Sequence, residues 1–426
     1  MFSAKNLTPE ESKTFKLHVI YSIIDGILYG ILALNEFILL KSLKGADYQV
    51  GFLFMLPNVV LLFAIVFNEL IKRTAQKKKF LNIFTVVTRL PLLLVLFFPN
   101  DLKEITVFHQ YTFLFILLIY YFSTPVILPM INLFLKQVYT HKNFGKMYSI
   151  ATSISKIAAL FSTFFAGLIL DINQMYFRQL YIVMAVGGIA SIFILTRIDF
   201  QDRTPIIKNT ILKSIGKSLK RMKDILVSNK PFLHFEIGFM LYGLAFLTTS
   251  GVISVFLNSL DLNYSSLAFY KNGYNTINIL LLPFFGRLIG RIDPRKFGII
   301  TFSSLAGFLF FLFVTTFFDA YFEVWKIKVY YSLLISYAFY GVFSATMGLL
   351  WFIGSAYFSK NEEAADYQSI HLSLTGVRGT FAPLVGIYFY LLIDFGGVFL
   401  MGIGFLSLAI LTLFISLKQS NRVYSN

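Results

Sequence analysis

The stretch GRLIGRIDPRK, residues 286–296, lies between YNTINILLLPFF (274–285) and FGIITFSSLAGFLFFLFV (297–314). Three arginines and a lysine thus interrupt two apolar runs, each long enough to demand burial, and the charges must sit where those runs cannot. A bilayer offers that place: hydrocarbon takes apolar segments of about 20 residues and water takes the turns between them. The same alternation continues along all 426 residues, which are 57% hydrophobic, 18% aromatic and 14% charged. A soluble core could not hide so much apolar surface.

Working outward from this turn, we read twelve spans. Six lie near 18–41, 48–71, 80–98, 110–138, 147–170 and 177–197, and six more near 232–258, 266–291, 297–318, 329–357, 366–393 and 395–417. The net charge of +16 raises nucleic acid as a partner, but most of the 37 Lys and Arg fall in alternate loops between spans. That bias follows the positive-inside rule and places both termini in the cytoplasm. The opening stretch then becomes a cytoplasmic turn between the eighth and ninth spans, reversed at Asp293-Pro294. With no cysteine, no thiolate metal site or disulfide framework exists. The polar start, MFSAKNLTPEESKTFK, reads as part of the mature chain rather than as a cleaved leader.

A polar segment, 198–231, divides the spans six and six, giving an N-terminal bundle (1–197), a linker and a C-terminal bundle (232–426). Within the linker, IIKNTILKSIGKSLKRMKDIL (206–226) sets Ile207, Ile211, Ile215, Leu219, Met222 and Leu226 at helical spacing, with Lys208, Lys213, Lys217, Lys220, Arg221 and Lys223 mostly elsewhere. This is the pattern of an amphipathic helix in the membrane plane. A binding site for a soluble partner is the alternative.

The halves echo each other. KNFGKMYSIATSISK (142–156) answers KNEEAADYQSIHLSLTGVR (360–378), aligning Tyr148 with Tyr367, and KRTAQKKK (72–79) answers the opening turn, aligning Arg73 with Arg291. Asp25 and Glu236 stand 211 residues apart, Lys156 and Arg378 222 apart. Such recurrence marks a duplicated six-helix unit.

Twelve spans, a basic central loop and basic turns after the second and eighth spans resemble the major facilitator superfamily over nearly the whole chain. That family's signature turn runs Gly, three residues, Asp, Arg or Lys, one residue, Gly. Gly286 and Arg291 match it, with Gly290 in place of the Asp; Arg73 matches in the first half, with Asn68 for the Gly and Lys72 for the Asp. Both signature carboxylates are absent. The resemblance implies an all-α polytopic membrane protein of two pseudo-symmetric six-helix bundles that rock about a midmembrane site, with Arg73 and Arg291 as gate contacts. It implies a cavity lined by the first, fourth, seventh and tenth spans, and helices 1 and 5 as neighbours.

Seven ionisable groups lie within the spans: Asp25, Glu36, Arg89, Lys156, Glu236, Lys271 and Arg378. Each unpaired charge at a helix centre costs ~2.5 to 3.5 kcal/mol, so they need partners or water. Depths along the helices match Asp25 to Lys156 and Glu236 to His371, with Arg378 nearer midmembrane. Asp25 and Glu36, eleven residues apart, return to one face of a continuous helix and with Tyr21 and Tyr29 form a polar stripe. Lys271, Asn275 and Asn278 form another beside Tyr274. Tyr120, Tyr121, Asn132 and the bend-forming Pro125 and Pro129 mark the fourth span; Tyr337, Tyr340, Ser344 and Trp351 mark the tenth. Gly376, Gly379, Pro383 and Gly386 surround Arg378 and permit close helix approach on a kink.

We therefore expect a monomeric secondary transporter without cofactor or metal. It would move a small anionic or zwitterionic solute with proton coupling, Asp25, Glu36 and Glu236 carrying the proton and Lys156, Lys271 and Arg378 attracting the solute. A bacterial inner membrane is the expected location. The rival reading is an exporter of amphiphilic drugs or lipids, although the Gly-Pro motif of antiporters is missing from ISKIAALFSTFFAGLILD (154–171). An enzyme is disfavoured: no His and carboxylate cluster at metal spacing, phosphate loop or nucleophile signature occurs. A channel would want a repeated pore motif, and none is found.

Overall fold

The computed structural model describes residues 7–199, 211–289, 291–359 and 364–424. Every expected span is helical. The first is α1 (Pro9–Leu32) continued by the short α2 (Asn35–Phe37) and a π-helical turn (Ile38–Ser42); the second is α3 (Asp47–Leu62) and α4 (Ala64–Arg73). The third is α5 (Lys77–Arg89), prolonged as 3₁₀ helix over Leu90–Phe97, where Pro91 lacks the N–H that an α-helix would use. The fourth is α6 (Val107–Tyr121) and α7 (Thr124–Val138), interrupted at Phe122-Ser123 because Pro125 cannot donate to the carbonyl of Tyr121. Then come α8 (His141–Ile172), α9 (Phe177–Leu195), α10 (Ile211–Ser228), α11 (Lys230–Ser259), α12 (Tyr264–Ile289), α13 (Pro294–Thr315), α14 (Tyr331–Ile353) and α15 (Ala364–Tyr424). The last holds two helices, separated at Ile393 and the left-handed Asp394.

Among the described residues, nine stretches are long and apolar enough to cross a bilayer. One of them, Ile370–Gln419, contains both helices of α15. The other two of the twelve spans are the interrupted α3 and α4, and α12, whose lysine and asparagines lower its hydropathy.

The chain divides into two compact units, one of Met1–Gly45 and Phe63–Ile211, the other of Ala46–Leu62 and Leu212–Asn426. In the first, α1 packs on α8 and α9. Gly26 and Gly30 permit this, since a Cβ on either would run into the backbone of Ser155 or Ala159. Beside this contact Leu81, Val126, Met130, Phe134, Ile192 and Leu195 form a dry cluster between α5, α7 and α9. In the second unit α11 lies along α15, α13 bridges α14 and α15, and α3 packs on α15. Gly386 crosses α11 at the Thr248 carbonyl, again where no Cβ fits.

The duplication is visible in contacts. In the first unit His18 of α1 lies 3.4 Å from the Tyr139 hydroxyl, and its ring centroid 5.9 Å from that of Tyr148. In the second, Asn229, 211 residues on, donates to the Phe358 carbonyl (2.9 Å) and the Tyr367 hydroxyl (3.0 Å), and those two lie 219 residues beyond Tyr139 and Tyr148.

One segment departs from the all-helical expectation. Residues between α13 and α14 form a hairpin, β1 (Tyr321–Val324) paired antiparallel with β2 (Ile327–Tyr330). Trp325 and Lys326 at its tip both have positive φ, as a tight two-residue turn requires. It is pinned by Tyr270, whose hydroxyl accepts from Tyr330 N (2.7 Å), and by Asn263, which donates to the Lys326 carbonyl (2.8 Å). Aromatic and β-branched residues gave it strand character; a loop too short for a helix hid it.

Candidate functional site

Each unit buries polar groups along its spans. In the first, the Arg89 guanidinium at the C-terminal end of α5 lies 3.8 Å from the centre of the Tyr120 ring. Its Nη1 donates to the Tyr120 carbonyl (3.1 Å) and to Ser123 Oγ (2.7 Å), and Ser123 Oγ in turn donates to that same carbonyl (2.6 Å). Both acceptors lie at the break before Pro125, and Gly188 of α9 leaves the arginine room. Arg89 acts electrostatically on Asp25, which is hydrogen-bonded to Tyr21 one turn before it. Tyr29 continues this side of α1 and is 61% exposed.

Two expectations fail here. No Asp25–Lys156 ion pair forms among the described residues. The α1–α8 crossing is backbone against backbone at Gly26 and Ser155, which sets the rotation of the two helices about each other independently of their charges. Nor do Asp25 and Glu36 share one continuous helical stripe. The helix breaks at Ala33-Leu34, and Glu36 is buried in α2 beside Asn35, which accepts from Tyr181 Oη (2.5 Å). Lys156 is partly buried on α8, and Asn132 partly buried on α7.

In the second unit Glu236 and His371 form a sequestered pair. His371 Nδ1 is 3.0 and 3.2 Å from the two Glu236 carboxylate oxygens, with side-chain exposures of 1% for His371 and 3% for Glu236. The depth match between α11 and α15 anticipated this contact. Phe239 and Trp351 box the imidazole, each ring centroid 4.6 Å away. Nε2 of His371 has no hydrogen-bond partner among the described residues. Two turns along, Arg378 fills the space over Gly243, donating to the Phe239 carbonyl and to Thr375 Oγ1 (3.2 Å), with its guanidinium 5.6 Å from the Tyr242 ring.

The α12 stripe is made as spaced. Lys271 is followed by Asn275, which donates to the Lys271 carbonyl (2.9 Å), and by Asn278, which donates to Ser344 Oγ on α14 (2.6 Å). The Asn278 side-chain oxygen Oδ1 has no hydrogen-bond partner among the described residues. Tyr274 sits edge-on to Tyr340 at 4.7 Å and parallel to Tyr337 at 6.2 Å. From there ring contacts continue through Phe343 to Tyr242.

Of the basic turns, Arg73 is half-buried and Arg291 exposed; Gly290 lies outside the described residues. The charge that is held in the opening stretch is Arg295. It is 5% exposed, paired with Asp293 at 2.8 Å and bonded to Ser416 Oγ at 2.9 Å. Arg295 and Ser123 escaped the sequence reading, and Arg89 was counted among the intramembrane charges without a place in the site. A proline three to five residues from a buried arginine's neighbour helix is weak signal, because spacing does not say which helices touch.

The sequence profile of the Major Facilitator Superfamily matches residues 18–350. Among solved structures, a point mutant of the nucleoside transporter NupG superposes with a TM-score of 0.68 at 15% identity, covering 95% of this chain and 99% of that one. A POT family transporter in complex with a thioalcohol-conjugated peptide gives 0.67 at 11% identity, covering 96% of each chain. At such identities the likeness is one of fold. No curated protein sequence matches the chain. Apolar helices, two units with repeated contacts and a profile spanning most of the sequence lead to one conclusion: this integral membrane protein belongs to the major facilitator superfamily, and is a transporter rather than an enzyme.

Proposed function

We propose that the protein is a secondary active transporter that moves a small anionic or zwitterionic solute by alternating access, coupled to protons. The observation that carries the coupling is the Glu236–His371 pair. A carboxylate and an imidazole, the two side-chain types that exchange protons most readily, are held 3.0 Å apart and away from water. Asp25 and Glu36, expected from the sequence to carry protons as well, act on solute affinity instead. Lys156, Lys271 and Arg378 are the cations that draw in the solute, and Tyr21, Tyr29, Tyr120, Asn132, Tyr274, Asn275, Asn278, Tyr337, Tyr340 and Trp351 line its path. Arg73 and Arg291 serve as gate contacts on the cytoplasmic side. The distribution of lysine and arginine supports cytoplasmic termini; a bacterial inner membrane and a monomer belong to the same proposal. The fold neighbours handle nucleosides and peptides, which supports small polar solutes as the class to screen.

The test is proton flux in proteoliposomes loaded with a pH-sensitive dye and challenged with nucleosides, dipeptides, amino acids and carboxylates. A solute of this class should acidify the lumen when added outside, and Glu236→Gln should abolish the acidification while leaving solute counterflow intact. Acidification unchanged in Glu236→Gln removes the coupling assignment. The chain of rings from Tyr274 to Tyr242 favours a second reading, export of amphiphiles; it requires that expression raise tolerance to hydrophobic cations.

A further inference from the structure

The hairpin between α13 and α14 takes no part in the buried polar site, yet it and its flanks display exposed rings. Phe317, Phe318, Tyr321, Phe322, Trp325 and Tyr331 are all exposed, Trp325 at the tip by 93%. Trp325 and Lys326 hold left-handed backbone, with φ of 49° and 64°, at turn positions that usually go to Asn or Gly. A bulky ring kept in that conformation points to a use outside the hairpin.

The two faces of the hairpin differ. Side chains alternate along a strand, so the register sets Phe322, Val324, Ile327 and Val329 on one face and Tyr321, Glu323, Lys328 and Tyr330 on the other. The second face is polar and tied to the corner between α11 and α12: Lys328 pairs with Asp261 at 3.7 Å, and the Tyr330 hydroxyl donates to the Leu260 carbonyl (3.4 Å). On the first face Phe322 and Val324 are exposed, and the Phe322 ring lies 5.3 Å from that of Tyr331. Tyr331 heads an exposed apolar stripe on α14, continued at helical spacing by Leu334, Ile335 and Phe339. The polar residues of α14, Tyr337, Tyr340 and Ser344, are turned to α12 instead. The stripe is the side of α14 that meets hydrocarbon, and the apolar face of the hairpin extends it.

Hydrogen bonds fix the height of the hairpin. At its base Tyr330 N donates to the Tyr270 hydroxyl, and α14 starts at the next residue. Lys328 N donates to Ser266 Oγ (2.9 Å), and at the tip the Lys326 carbonyl accepts from Asn263, the residue before α12. The strand thus follows the first two turns of α12, and the tip is held at the level at which that helix begins. With 26 residues α12 is about 39 Å long and outreaches a hydrocarbon core of about 30 Å, so its first turns and the hairpin beside them stand among headgroups. Three crossings, α11, α12 and α13, separate this level from Asn229, which puts it on the side of the membrane away from the linker.

We propose that the hairpin is an interfacial anchor: Phe322, Val324 and Trp325 enter the headgroup layer of the leaflet away from the linker, where amphipathic rings settle. Rings and not charge hold it there, since Asp319 and Glu323 cancel Lys326 and Lys328. The inference rests on the geometry of the hairpin and not on the transport reading, so failure to find a solute leaves it standing.

The chain has two tryptophans, so Trp351→Phe leaves Trp325 as the single emitter in the full-length protein. In nanodiscs, phosphatidylcholine brominated near the top of its chains should quench Trp325 at least about twofold more than lipid brominated near their ends. Iodide in the water should quench it less than free tryptophan. The chain has no cysteine, so spin labels at Val324→Cys and Glu323→Cys, with both tryptophans kept, give a second reading. The label at 324 should collide with oxygen and be sheltered from a nickel chelate, with 323 the reverse, alike in phosphatidylcholine and in an equal mixture with phosphatidylglycerol. Trp325 as open to iodide as free tryptophan and untouched by brominated lipid, or 324 as open to nickel as 323, would overturn the proposal and leave the face to a soluble partner. Shelter of 324 from both oxygen and nickel would overturn it as well, because protein would then be the cover. A contrast confined to the anionic discs would do the same, because charge would then be the hold.

Discussion

Replacing Glu236 by Leu should destabilise the protein by about 3 to 5 kcal/mol, because it strands His371, whose side chain is 1% exposed and whose Nδ1 has only the carboxylate as partner among the described residues. His371→Leu should cost a similar amount by stranding the carboxylate. The double variant removes both polar groups together, and two leucines beside Phe239 and Trp351 keep the site apolar. Its cost should be no more than about 2 kcal/mol, since exchanging a whole buried pair for apolar groups is often neutral. The coupling energy from the four proteins is then at least about 4 kcal/mol, well above the ~0.5 kcal/mol within which independent sites add. Unfolding in mixed dodecyl maltoside and SDS micelles, followed by Trp351 emission in a Trp325→Phe background, measures all four. Additivity within ~0.5 kcal/mol would refute the reasoning, because it would mean that each group finds other partners or water when the pair is broken.

The glycine crossings make sharper steric tests. Gly386→Ala should lower thermal stability by about 1 to 3 kcal/mol, as its Cβ meets the Thr248 backbone, whereas Gly273→Ala, with nothing within 4 Å, should be neutral or gain up to ~1 kcal/mol of helix propensity. Arg89→Met removes the donor to the Tyr120 carbonyl and Ser123. Hydrogen exchange over residues 118–127 should accelerate, and Arg89→Lys should restore part of the protection. Tyr270→Phe takes away the acceptor of Tyr330 N and should cost about 1 kcal/mol, read as faster exchange confined to the 321–330 hairpin.

How far the sequence foretold this molecule depends on the range of the forces involved. Span existence is a local property of apolar length, and even small features followed: the corner between the last two helices falls at Ile393 and Asp394, where the reading put it, and the fourth span breaks beside Pro125. Pairing is not local. Depth alone matched Glu236 to His371 correctly and Asp25 to Lys156 wrongly, because depth fixes one coordinate of a side chain and leaves its azimuth free. The azimuth of α1 against α8 is set by Gly26 and Gly30, small residues that carry no charge signal. The break at Ala33-Leu34, which takes Glu36 off the stripe of Asp25, has no proline or glycine at its centre and so leaves no mark in the sequence.

The two halves share a scaffold but have placed their buried charge differently. The contact among His18, Tyr139 and Tyr148 and that among Asn229, Phe358 and Tyr367 occupy equivalent positions in the repeat. Deeper in, the equivalence lapses. In the first unit the arginine is committed to a broken helix: Arg89 donates to the Tyr120 carbonyl and to Ser123 at the break before Pro125, and Asp25 stands off from it behind a tyrosine hydrogen bond. In the second, α11 is unbroken, Arg378 reaches the Phe239 carbonyl across Gly243, and the acid is matched to a histidine instead. An arginine holds its proton at any physiological pH, while a histidine exchanges one. Proton coupling in this chain should therefore be carried by the second half. Neutralising Asp25 should change solute affinity and leave the proton stoichiometry untouched, which paired flux measurements on Asp25→Asn and Glu236→Gln can establish; equal loss of stoichiometry in both would return the coupling to the first half.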